Sequence, residues 1–304
     1  MTEPIQSYAR IGLVHFMAYK ACMGGEGPIL ESLEKIAQDP YFQAVEITQM
    51  KDPHTRSKAI QLLETAHLDV AFAAQPILLG NKLNLNSLDE SHRLQAIDAV
   101  KGGIDQAEEF GTEGVALLSG SDPGPTDRDL ASNLLVDSLK RLCDYAGSKD
   151  MNIILETFDR VPYGKNCLVG PSALAVEVSL KVRKEYPNFG LMLDLSHLPL
   201  QGENPAYALG LARDHLVHAH IGNCVMRNPE HPAYGDNHPR FGCEDGENDV
   251  EELAEFLAEL LNIGFLDPNK CPILSFEVGP MEGESPETVV ANAKRVLDTA
   301  WSLI

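Results

Sequence analysis

The sequence contains no apolar run near the ~18 residues that a membrane-spanning helix requires, so no membrane partner is expected. Its first residues, Met-Thr-Glu-Pro-Ile-Gln, offer neither a basic nor an apolar stretch, and no signal peptide is read there. Cysteines are few: Cys22, Cys143, Cys167, Cys224, Cys243 and Cys271 are scattered and form no C-x-x-C pair. That spacing suits no zinc ribbon, and a chain of this length does not need disulfides; reduced thiols in a cytoplasm are expected. Basic residues are scarce, 24 Lys+Arg against 45 Asp+Glu, a formal net charge of -21. Such a surface repels a polyphosphate backbone, so nucleic acid is not an expected partner. A glycine-rich phosphate loop is missing as well. The first apolar run ends in Val14-His15-Phe16, and Gly24-Gly25 follow later with no G-x-G-x-x-G. No linker, repeat or low-complexity tract divides the chain.

What is present is a chain of 304 residues, 44% hydrophobic and 23% charged, enough for one large barrel or two ordinary domains. Eight apolar runs read as strands: Arg10–Phe16, Ala44–Thr48, Asp69–Ala74, Gly114–Leu118, Asn152–Glu156, Gly190–Asp194, Leu216–Ile221 and Pro272–Glu277. Most are nearly continuous rather than alternating, as in strands covered on both faces of a parallel sheet. Helical stretches follow nearly every one. Ser87 and Glu90 have capping-box spacing before a helix to about Phe110, and Asp249 and Glu252 repeat it. Thr126 precedes a helix, and Ser285-Pro286 opens another with proline at its first position. Eight such units predict an α/β chain folded as a (β/α)8 TIM barrel, one domain over residues 1–304 with a long loop, 222–248, after strand 7. The competing arrangement, a doubly wound sheet, usually shows the glycine-rich loop that is missing.

In a barrel the site lies where strands end. Strands 1 to 4 run into His15, Glu46, Gln75 and Ser119. Strands 5 to 8 finish with Glu156, Asp194, His220 and Glu277. Charges at the buried end of apolar runs are costly unless paired or bound to metal. Three carboxylates converging there would repel one another without a cation. Glu156, Asp194, His220 and Glu277 therefore read as one divalent-metal site. Three hard oxygens, one imidazole and no thiolate favour Mn2+, Mg2+ or Co2+ and allow Zn2+. His218, two residues before His220, points to the same side and reads as a support or a packed core histidine.

These residues also carry a resemblance. Ala-Val-Glu46-Ile, Leu-Glu156-Thr, Asp194-Leu-Ser-His197, His218-Ala-His220, Gly246-Glu-Asn-Asp249 and Phe-Glu277, in this order, resemble the xylose isomerase-like barrel superfamily of sugar and sugar phosphate isomerases and epimerases. In the ketose 3-epimerase branch, the resemblance makes Glu156 and Glu277 both metal ligands and catalytic proton movers, with Asp194 and His220 completing the coordination. It places His197 on substrate hydroxyls and makes Arg227 the nearest candidate for a substrate-binding arginine. Asp236-Asn-His238 resembles the D-x-H metal pair of the endonuclease IV branch. Three roles stay open for it: binding substrate or closing a lid through His238, holding a second metal with His197, or structure alone. The histidines that branch also needs after strands 3 and 4 are replaced by Gln75 and Ser119. Glu46 and His15 are expected at the rim, touching substrate or supporting the ligands, with a purely structural role equally open.

The resulting expectation is a metal-dependent sugar isomerase or epimerase acting at the carbon next to a carbonyl. The metal would chelate the substrate and stabilise an enediolate, while one glutamate removes the α-proton and a proton is returned to the opposite face or the adjacent carbon. A metal-dependent dehydratase of a polyol or keto acid shares the first step and is the main rival. An endonuclease IV-like phosphodiesterase and a non-catalytic sugar-binding barrel are further alternatives. The expected partner is a small carbohydrate, and a homodimer or tetramer is implied by the resemblance alone.

Overall fold

The structure, a computed structural model, describes residues 3–161 and 164–304. Eight strands form one parallel sheet: β1 (Arg10–Leu13), β2 (Ala44–Ile47), β3 (Asp69–Ala73), β4 (Gly114–Leu118), β5 (Asn152–Glu156), β6 (Phe189–Asp194), β7 (Leu216–Gly222) and β8 (Ile273–Glu277). Their order, β1-β8-β7-β6-β5-β4-β3-β2, is that of a nearly closed TIM barrel with helices between the strands. Seven junctions are parallel ladders; the eighth, between β2 and β1, is slighter. There Val14 bridges Glu46, Gln43 N donates to Ile11 O at 2.9 Å, and Ile11 N donates to the Gln43 side chain at 3.0 Å.

The apolar runs become strands because both faces find cover. Every residue of β2 and β6 is buried. Outside them the helices Glu90–Glu109, Arg128–Gly147 and Pro286–Ser302 turn apolar stripes inward, through Ile97, Val100 and Ile104 on the first and Leu135, Leu139 and Leu142 on the second.

Three local expectations shift. The first strand stops at Leu13, because Met17 N and Ala18 N turn back to Val14 O and put His15–Ala18 into a helical turn. The helix from Glu90 is capped by Asp89 rather than Ser87: Asp89 Oδ1 accepts from Ser91 N at 2.8 Å, and Ser87 only props Asp89 N. The helix after Thr126 begins at Arg128, with Asp127 in the cap position. At Asp249 the box has formed, with Glu252 accepting from Asp249 N at 3.0 Å, and Ser285 Oγ accepts from Thr288 N at 3.1 Å. Each such cap is worth about 1 kcal/mol. Among the described residues, no helix is long and apolar enough to cross a membrane.

Register decides which side chains meet at the mouth. Asp194 lies beside His220, and Gly222 beside Glu277. Gly222 has to be glycine-sized, since a Cβ there would come 2.6 Å from Glu277 O. The segment that follows β7 is packed rather than draped. Asn223 and Asn248 close its neck, with Asn248 N donating to Asn223 Oδ1 at 2.8 Å and Asn248 Nδ2 to Gly222 O at 3.0 Å. Val225, Ala233 and Cys243 form its own small apolar cluster.

Candidate functional site

The carboxyl ends of β5 to β8 bring Glu156, Asp194, His220 and Glu277 together, with one potential ligand atom from each inside a 4.8 Å span. All four are buried or nearly so. His220 Nδ1 lies 2.7 Å from Glu277 Oε2 and 3.6 Å from Glu156 Oε1. Two oxygens in this group, Glu156 Oε1 and Asp194 Oδ2, are buried without any hydrogen-bond partner. Such orphaned carboxylate oxygens are costly unless something positive meets them. Their orphaned state, the short span and the hard-oxygen donor set fit a divalent cation.

His220 is held from behind. Its Nε2 donates to both Glu46 oxygens at 3.0 Å, which leaves Nδ1 turned to the cluster. A carboxylate in that position fixes the tautomer and orientation of a metal-binding imidazole. Glu46 also accepts from His218 Nε2 at 2.6 Å. Burial pushes the Glu46 carboxyl up, but His220 and His218 outweigh it and hold it well below the usual range. Burial pulls His220 down; Glu46 and Glu277 overcome that and raise it well above an ordinary histidine. Asp194 is pushed up, mainly by burial.

Above the cluster opens a cavity of about 540 Å³. Its floor carries Glu156, His220 and Glu277; Phe16, Met17, Leu79 and Phe158 supply apolar wall. Gln75 completes the floor and donates from Nε2 to Glu156 Oε2 at 2.7 Å. Asp236 and His238 also face the cavity, and His197 stands behind Asp236. Asp236 Oδ1 is 2.8 Å from His238 Nε2 and 3.1 Å from His197 Nε2. Burial lowers His197, yet Asp236 lifts it to about 10.

Not every expected site residue arrives. His15 turns outward and donates to Ser32 Oγ at 2.7 Å, since the Ser32 proton goes to Pro28 O. Burial pushes it down to about 4. Of the places left open for Glu46, it takes the supporting one: it sits beneath the ligands and does not line the cavity. Arg227 is 74% exposed, ion-paired with Glu247 at 2.5 Å, and away from the cavity wall. His218 faces the opposite end, lining a cavity of about 290 Å³ formed by strand starts. Lys165 was missed. It follows β5 by nine positions in a turn-rich segment with no periodicity to place it, yet its ammonium reaches Asp236 across the cavity.

With the geometry in place, the comparisons bear on it. The model of the xylose isomerase-like TIM barrel family matches residues 34–298. The chain belongs to that family. Two curated members are similar over part of their length. Fructoselysine 3-epimerase of Shigella flexneri is 27% identical over 165 residues, 54% of this chain and 58% of that protein. L-ribulose 3-epimerase of Methylomonas sp. (strain DH-1) is 36% identical over 106 residues, 34% of each. The matches thus span under two thirds of those family members. The solved IolI protein with a bound zinc atom superposes with a TM-score of 0.73 at 19% identity, covering 97% of this chain and 99% of that one. At that identity the likeness shows the family fold.

Proposed function

We propose that this protein is a divalent-metal-dependent sugar epimerase or isomerase that moves a proton at the carbon next to a carbonyl. The observation that carries the reading is the buried cluster of Glu156, Asp194, His220 and Glu277, with two unpartnered oxygens, three members of which floor a cavity of about 540 Å³. The 3-epimerase names of both curated relatives support it.

Glu156, Asp194, His220 and Glu277 would hold the cation, which would polarise the substrate carbonyl and stabilise the charge that develops there. Glu156 and Glu277 come from non-adjacent strands and frame the cluster, which places a carboxylate on either side of a bound substrate for proton transfer. One takes the α-proton and the other, or the same one, returns it. Gln75 Nε2 steadies one oxygen of Glu156 and leaves the other free. His238 and Asp236, with His197 behind them, offer polar contacts to substrate hydroxyls on the cavity side. Phe16, Met17 and Phe158 cover the site and limit water.

The test is an assay with Mn2+ or Co2+ supplied. Free and phosphorylated ketoses are incubated in D2O, and deuterium incorporation and isomer formation are followed by NMR. Exchange next to the carbonyl supports the reading, and its loss in Glu156→Gln and Glu277→Gln assigns it to the site. Loss of water from the substrate instead would move the assignment to a dehydratase. No exchange with any ketose in protein shown to hold metal would end it.

A further inference from the structure

Next to the proposed metal ligands lies a second arrangement of donors around Asp236. His197 and His238 both aim Nε2 at its Oδ1. His197 is locked in that pose by its other nitrogen, which donates to Thr157 O at 2.7 Å. The remaining oxygen, Oδ2, takes the Lys165 ammonium, which also donates to the Asp236 main-chain oxygen at 3.2 Å. Two imidazoles and a carboxylate are a donor set suited to Zn2+, Mn2+ or Co2+, and the same imidazoles also lie with Asp194 close enough together to hold a metal ion. Here a side-chain cation already stands against it.

Lys165 is not a wandering surface lysine. Its chain is wound around the buried Asp159 carboxylate, which accepts from Lys165 N at 2.8 Å and Asn166 N at 2.9 Å. A Cβ on Gly164 would come 2.1 Å from that carboxylate, so the wrap tolerates only glycine there. The ammonium lies 5.6 Å from the centre of the Phe158 ring, which in turn packs against His197 at a 32° tilt. Charge makes the same demand. Glu156, Asp194, Glu277 and Asp236 put four carboxylates at one mouth. The raised His197 and His220 offset part of that charge, and the Lys165 ammonium, paired with Asp236, offsets one more.

We propose that Lys165 is a resident cation that takes the place of a second divalent ion and keeps this centre mononuclear. The proposal rests on the reading that one ion sits at Glu156, Asp194, His220 and Glu277, and the test separates the two. The protein and its variants are dialysed against Zn2+ and, separately, Mn2+, and bound metal per chain is counted by mass spectrometry. The parent and Lys165→Arg are expected to hold one ion, Lys165→Met two, and Lys165→Met with His238→Ala one again. Circular dichroism and gel filtration check folding, and Lys165→Gln replaces the Met variant if that one fails to fold. Two ions on the parent, or one on a folded neutral variant, overturn the proposal. If the parent holds none, the reading of the first site falls. In that event a single ion on Lys165→Met, lost with His238→Ala, still supports the role of Lys165, and no ion on Lys165→Met overturns that as well.

Discussion

The two halves of the barrel treat the same position differently. On β5 to β8 the terminal polar side chains converge: Glu156, Asp194 and Glu277 gather about His220, and Glu156 Oε1 and Asp194 Oδ2 have no hydrogen-bond partner. On β1 to β4 the polar residues at the strand ends spend their hydrogen bonds on support. His15 is tied to Ser32, Glu46 to two histidines, Gln75 to Glu156, and Ser119 Oγ accepts from Val169 N at 2.9 Å. The difference teaches that a strand-end position becomes a candidate ligand where its carboxylate or imidazole converges on a shared centre rather than on a neighbouring element. Placement at the mouth is not sufficient.

That contrast can be broken by substitution. Glu156→Gln and Glu277→Gln strike the half that converges on the centre, and each should lower kcat/KM on a turned-over ketose by about a thousandfold, read by initial rates. An effect under tenfold in both would erase the distinction between the halves. Glu46→Gln strikes the support half where it touches a ligand. It should weaken divalent-ion binding about 10- to 100-fold in titration calorimetry, because His220 loses the carboxylate that orients it. Ser119→Ala, which supports only main chain, should leave that affinity unchanged.

His15 sharpens the comparison through pH. Its folded state takes up a proton only near 4, against 6.5 for the free group. Between those values the unfolded chain binds more protons, so stability falls as pH falls through that window. The full difference, 6.5 − 4, corresponds to about 3 kcal/mol below pH 4. His15→Gln, which has nothing to protonate, should lose about that much less stability than the parent between pH 6.5 and 4, measured by urea unfolding. Equal losses would mean that His15 is not buried as a neutral ring. The smallest effect is expected at Arg227. With its guanidinium exposed and tied to Glu247, Arg227→Ala should change KM by less than twofold.

The barrel was legible because nearly continuous apolar runs, each followed by helical period, leave few other architectures. β4 and β5 match their expected limits residue for residue. The cluster on β5 to β8 was legible for a related reason: a charge ending an apolar run is rare, and four in succession share one side of a parallel sheet. What was not legible depended on direction rather than position. His15 was expected at the rim, but the chain turns helical at that residue and swings the ring toward Ser32. Glu46 was placed in the right strand with support and substrate contact both open, and its bonds to His218 and His220 put it under the ligands. Arg227 was carried over by resemblance, and the long segment after β7 sends it to the surface. Lys165 had no signal at all, since its location follows from a turn wound around Asp159 and not from any period.

The slight junction between β2 and β1 has a consequence for the cylinder as a whole. Elsewhere the staves are joined by runs of peptide groups, which no exchange of side chains can remove. At this one seam an amide on a side chain, that of Gln43, stands in for a peptide group of the neighbouring strand. A rivet of that kind can be drawn by changing one residue, so a substitution at position 43 loosens this seam alone and leaves the Gln43 N to Ile11 O bond and the Val14–Glu46 bridge to hold it.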